Sequence, residues 1–98
     1  MQNPWQGLED FEWDRGNLLK NPAKHRVSNE EAEEVFFRHP VVVENTRSAD
    51  NERRWCAFAK TERGRVLRVV FTMRGLRVRI ISARPASRKE RIYYERLR

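Results

Sequence analysis

The stretch from Val66 to Glu90 constrains the fold more than any other part of the chain. Val66–Met73 is a β-prone run, Arg74-Gly75 makes a tight hairpin, and Leu76–Ser82 alternates. A two-residue turn between such runs joins neighbouring antiparallel strands. The alternation puts Leu76, Val78 and Ile80 on one face and Arg77, Arg79 and Ile81 on the other. Pro85 then breaks the strand, and Ser87-Arg-Lys-Glu90 is a capping box that opens a C-terminal helix. The end of the chain thus reads as a hairpin feeding a helix, with an apolar back and an arginine front.

The rest of the chain is arranged around that unit. Residues 1–8 read as a loose leader, and Phe11-Glu-Trp-Asp14 alternates as a short strand does. Residues 15–25 suit a first helix, which Gly16 weakens and Pro22 kinks or restarts. Ser28-Asn-Glu-Glu31 is another capping box, with Glu31 expected to return the bond of the Ser28 hydroxyl. Ala32, Val35 and Phe36 follow as an apolar stripe, and the acids between Glu30 and Glu34 suit the positive end of that helix. Beyond Pro40, Val41-Val-Val-Glu44 is a buried strand, 45–53 a polar loop, Arg54–Lys60 a strand and Glu62-Arg-Gly-Arg65 a turn. Clustered strands with flanking helices indicate an α+β fold: a small antiparallel sheet, two N-terminal helices and a C-terminal helix. Ninety-eight residues set one domain, 1–98, with a single small core.

Charge decides what such a fold would meet. Residues 60–98 hold 13 Lys/Arg against 3 Asp/Glu, while residues 1–59 hold 8 against 11. The whole net charge of +7 therefore resides in the second part. Segregation of this kind suits a polyanion: nucleic acid, an acidic protein or an anionic membrane. No apolar run reaches the roughly 20 residues that span a bilayer. The start of the chain shows no signal-peptide pattern. The single cysteine, Cys56, excludes an internal disulfide and fits a reducing, cytoplasmic setting. It sits in an apolar stretch and reads as a small core residue.

Arginine outnumbers lysine in the basic half, and its planar fork binds phosphate through two parallel bonds. Arg77 and Arg79 share a strand face, Arg54 and Arg68 join them from neighbouring strands, and Arg84, Arg88 and Arg91 flank them from the loop and helix. The plain alternative is a solvated sheet face in which each arginine pairs with a helix carboxylate; few acids lie nearby in sequence. Trp55, Tyr93 and Tyr94 suit base stacking, but core packing fits at least two of them better. Cleaving a phosphodiester without metal needs a base for the 2′-hydroxyl, an acid for the leaving oxygen and cations on the developing charge. Lys24, His25, Glu52, Glu90 and the arginines supply those parts, although a solvated or capping role suits His25 equally well. His25 and His39 are the only imidazoles, too few with one cysteine for a metal site, and no cofactor motif is present.

One family shares these residues. Phe11-Glu-Trp-Asp14, Asn21-x-x-Lys24-His25-x-Val27-Ser28, Glu31-Ala32-x-Glu34-Val35-Phe36, Arg54-Trp55 and Arg79-Ile80-Ile81-Ser82-Ala83-Arg84-x-Ala86-x-x-x-Glu90-Arg91-x-x-Tyr94-Glu95 resemble the BrnT toxins, RelE-like ribonucleases of type II toxin–antitoxin systems. The resemblance runs from residue 11 to 95. It implies a cytosolic, metal-free endoribonuclease that blocks translation. It also implies a cognate antitoxin that binds DNA, represses the operon and forms a heterotetramer with the toxin. On this reading Lys24, His25, Glu52, Arg79 and Arg84 are the catalytic candidates, and Arg54, Arg68, Arg77, Arg88 and Arg91 contact RNA. Asn17 stands where the family usually has lysine, and Arg26 where it has glycine. The alternative is a non-catalytic nucleic-acid-binding module, or a weakened toxin acting mainly through its antitoxin.

Overall fold

A computed structural model describes residues 10–13, 27–45 and 52–98. Its elements are β1 (Asp10–Trp13), α1 (Asn29–Glu34) with a 3-10 turn over Val35–Phe37, β2 (Val41–Asn45), β3 (Arg54–Lys60), β4 (Val66–Arg74), β5 (Arg77–Pro85) and α2 (Arg88–Leu97). The expected leader (1–8) and first helix (15–25) lie outside the described residues.

The strands form one five-stranded sheet in the order β1-β5-β4-β3-β2. Neighbours from β2 to β5 run antiparallel, but β1 runs parallel to β5. The sheet is therefore mixed, not antiparallel throughout. No hairpin joins β1 to β5, so no turn sets their relative direction. Side-chain pairing suits the observed register: Phe11 falls beside Val78, while Asp10 and Glu12 fall beside Arg77 and Arg79.

The helices cover opposite faces. On one, Val27, Ala32, Val35 and Phe36 pack against Leu67, Val69, Phe71, Val78 and Ile80. Phe36 meets Phe71 edge-on, with ring centroids 4.9 Å apart. On the other face, Tyr94 and Ala86 pack with Cys56, Phe58, Val66 and Val70. The Tyr94 hydroxyl accepts a bond from the Lys60 backbone N–H (3.4 Å), which ties α2 to the end of β3. Cys56 is buried as expected, and burial pushes its thiol up.

Two details of β5 differ from the sequence expectation. Leu76 lies in the turn and is exposed rather than facing the core. The strand continues to Pro85 instead of ending at Ser82. It can do so because the Ala86 N–H, not that of residue 85, bonds to β4 (Val66 O, 2.9 Å), and β1 pairs only with Arg77–Ile80, so the Pro85 nitrogen faces an edge where no ladder bond is lost.

Candidate nucleic-acid interface

A bulge in β5 builds the arginine face. Val70 pairs with Ser82, but the next residue of β4, Phe71, pairs with Ile80, so Ile81 is an extra residue. Side chains alternate with period two, so one inserted residue switches the facing of everything after it. Arg79 and Arg84 are five apart and would otherwise point to opposite faces. With the bulge, Arg79 lies opposite Thr72 and Arg84 opposite Arg68, while Val78, Ile80 and Ala83 all reach the α1 core. Arg54 precedes Cys56 by two on β3 and shares its face. Arg54, Arg68, Arg77, Arg79 and Arg84 thus stand on the sheet face that α2 partly covers. Arg74, opposite Arg77, joins them; its position at the hairpin concealed it in the sequence, though it shares the parity of Arg68.

This face has two ends. Arg68 and Thr72 are four residues apart on β4, which separates the Arg84 and Arg79 levels by about 13 Å. At the Arg84 level the guanidinium is committed. Arg84 donates to both oxygens of Glu90 (2.8 and 3.0 Å) and to the Pro85 carbonyl (3.1 Å). Arg68 Nε lies 3.3 Å from the same carboxylate. The Ser87 N–H also donates to Glu90 (2.8 Å), and the Ser87 hydroxyl accepts from the Glu90 N–H, completing the expected capping box. Burial alone would raise the Glu90 carboxyl, but Arg84 and Ser87 outweigh it and hold the group at about 2. Two of the expected phosphate binders are therefore paired with a helix carboxylate, and the sequence expectation of arginines without nearby acids fails for them, as it does for Arg77 and Arg79 beside Asp10 and Glu12. At the other end Arg74 and Arg77 are exposed and Arg79 is half-buried. Arg54, Arg79 and Glu52 each interact with neighbouring groups. Glu52 lies two residues before β3, and Lys24 and His25 lie outside the described residues.

Arg88 and Arg91 are elsewhere. With Ile92, Glu95 and Arg96 they form one stripe of α2, facing the β3–β4 turn across a cavity of about 750 Å³. Glu90 and Tyr94 belong to a different stripe, directed at the sheet. Among the aromatic candidates, Trp55 stacks on Phe71 (5.7 Å) and lies under the Arg53 guanidinium (5.0 Å), while Tyr94 is buried; Tyr93 alone of the three is exposed. Among the described residues, no three or more His, Cys, Asp and Glu side chains gather where they would hold a metal. No helix of the described residues is long and apolar enough to cross a membrane.

A family model described as the ribonuclease toxin BrnT of type II toxin–antitoxin systems matches residues 13–90. Among solved structures, the ribonuclease toxin BrnT of Brucella abortus matches at 25% identity with a TM-score of 0.60, over 81% of this chain and 97% of that one. No curated protein matches.

Proposed function

The chain belongs to the BrnT family of type II toxin–antitoxin ribonuclease toxins, and from that premise we propose that RNA is bound and cut on the bulge-built arginine face. The observation that carries this reading is the convergence of Arg54, Arg74, Arg77 and Arg79 at the end of the sheet that α2 leaves uncovered. Guanidinium groups there hold the scissile phosphate and spread the charge that develops on its oxygens. The RNA 2′-hydroxyl loses its proton as its oxygen attacks phosphorus. The 5′-oxygen leaves and takes up a proton, so a cyclic phosphate and a free hydroxyl result. Lys24, His25 and Glu52 are the groups we assign to those transfers and to the added positive charge. Arg68 and Arg84, held about 13 Å away, contact a neighbouring phosphate of the same strand.

The arginines supply the positive charge that a metal would otherwise bring, and we infer that cleavage is metal-independent; activity abolished by EDTA and restored by a divalent ion would overturn that. We further propose a RelE-like catalytic arrangement in one cytoplasmic domain that blocks translation. Its antitoxin is a DNA-binding repressor and forms a heterotetramer with it.

The test is expression of the chain alone in bacteria, beside an Arg77→Ala/Arg79→Ala variant. The expected result is arrested growth and degraded RNA for the parent, and relief of both for the variant. Equal growth and equal RNA integrity would sink the reading. Binding of a cleavage-resistant RNA should weaken steeply with salt, because each phosphate contact releases counterions.

A further inference from the structure

The groove beside α2 has no role in the cleavage site just described. Its polar wall is Arg88, Arg91 and Arg96 on the helix and Lys60 at the end of β3. Its floor is aliphatic: Val66, Pro85, Ala86 and Ile92. Ile92 is 47% exposed, an apolar side chain open to solvent among guanidinium groups. Among the described residues the one acid in the wall, Glu95, is paired with Arg98 at 3.1 Å. Arg65, on the far rim, already donates to Glu31 (3.0 Å) and closes that end.

We propose that this groove docks an acidic, amphipathic protein segment supplied by the antitoxin. An apolar side chain of the segment packs on Ile92 and the aliphatic floor, and flanking carboxylates meet Arg88, Arg91, Arg96 and Lys60. The source of the segment rests on the family assignment; the chemistry of the groove does not. Charge alone would admit single-stranded RNA equally well. The floor decides against it. Among the described residues no aromatic ring lines the groove, so bases find no stacking platform there of the kind that holds single strands. An aliphatic floor with a cationic rim is instead the complement of a helix with apolar anchors three or four residues apart among glutamates. The α2 stripe from Arg88 to Arg96 is about 12 Å long, and about eight residues of partner helix span it, so a helix of about a dozen residues covers it with a turn to spare. Docking there leaves the Arg77–Arg79 end of the sheet to another part of the antitoxin or to RNA.

The test uses the full chain and a fluorescent helical peptide of about a dozen residues, with two leucines at i and i+4 among glutamates. One control peptide keeps the composition but separates the leucines onto opposite faces. A cleavage-resistant single-stranded RNA is the second probe. Ile92→Asp and Arg96→Glu are made at exposed positions outside the cleavage site. Each should weaken the peptide about tenfold or more, as loss of an interface anchor does. RNA cleavage and RNA affinity should stay within about twofold, a free-energy change of under 0.5 kcal/mol. Peptide affinity unmoved by both substitutions would overturn the proposal. So would equal binding of the control peptide, or an RNA affinity that falls in step with the peptide's, which would assign the groove to RNA. A parent chain that leaves RNA intact yet binds the peptide through Ile92 and Arg96 would strike the cleavage site and support the groove.

Discussion

Ser28-x-x-Glu31 and Ser87-x-x-Glu90 carry the same local signature and fold differently. At both, the serine hydroxyl accepts the N–H of the glutamate three residues on. Only Glu90 returns the bond to its serine's N–H. Glu31 turns away to Thr61 (2.8 Å) and to the two nitrogens of Arg65 (3.0 and 2.6 Å). Those bonds outweigh its burial and hold its carboxyl below the usual carboxylate range. The partner offered by the tertiary structure explains the difference. Arg65 and Thr61 reach Glu31 from the β3–β4 turn, which closes through bonds from Thr61 N to Arg65 O and from Gly64 N to Thr61 O. Gly64 makes that turn at φ +86°, where a side chain would be strained. Arg84 approaches Glu90 from a strand without drawing it away from Ser87. Glu31 is therefore a bolt between layers, and Glu90 is a cap that also holds two arginines.

Removing each carboxylate should separate these roles. Glu31→Ala leaves Arg65 and Thr61 without their partner in a site where the Glu31 side chain is 4% exposed. Breaking such a pair costs about 3 kcal/mol when one partner keeps some contact with water, measurable as a lower urea midpoint. RNA cleavage below the unfolding temperature should be unchanged. Glu90→Ala should cost less, about 2 kcal/mol, as the sum of a capping bond and partly exposed ion pairs. Cleavage should also fall about tenfold, since Arg68 and Arg84 lose their fixed orientation. If Glu31→Ala impaired cleavage as strongly as Glu90→Ala, the division into bolt and clamp would be wrong.

Acid offers a finer comparison. The folded Glu90 carboxyl lies at about 2, against an ordinary 4.5. Between those values the unfolded chain binds the proton and the folded chain does not, so stability rises with pH there and is flat above. Unfolding midpoints from pH 5 down to about 2 should fall in the parent and fall less in Glu90→Gln, the remaining slope belonging to Glu31 and the other carboxylates. An unchanged slope in Glu90→Gln would show that the arginines do not hold this group ionised.

Which of these features the sequence exposed follows from the range of the interaction. The β4–β5 hairpin was legible because period-two alternation and a glycine turn are local. So was the Ser87 box, which closes on itself. The shared face of Arg54, Arg68, Arg77 and Arg79 followed from strand parity. Arg84 is expected to converge with the other arginines from a loop; it lies instead within the strand, on their face but about 13 Å from the Arg79 level, because a bulge at Ile81, which has no clear local signature, switches its facing. The direction of β1 was hidden because no turn connects it to β5. The pairing of Arg68 and Arg84 with Glu90 was hidden as well, since it depends on where α2 lands on the sheet. The groove could not be read at all, because its two walls, α2 and the β3–β4 turn, meet only in the folded chain.

The smallest expected difference is between the serines. A lost N-cap hydroxyl costs about 1 kcal/mol on average, but the two helices depend on it unequally. α1 is six residues long, and Glu31 and Ala32 are buried within it. Its first turn is fixed by the Glu31 bonds and by Val27 and Ala32 in the core, whether or not the hydroxyl is present. Ser28→Ala should therefore fall near the low end of the range, about 0.5 kcal/mol. α2 is ten residues long and buries only Tyr94, far from its N-terminus. The Ser87 box and the Glu90 pairs are what hold its first turn, so Ser87→Ala should cost about 1 kcal/mol. The loss should shrink in an Arg84→Ala background, because Arg84 and Ser87 fix the same carboxylate and their effects cannot be independent. A Ser28→Ala cost equal to or above that of Ser87→Ala would show that the cap, and not the buried carboxylate, anchors α1.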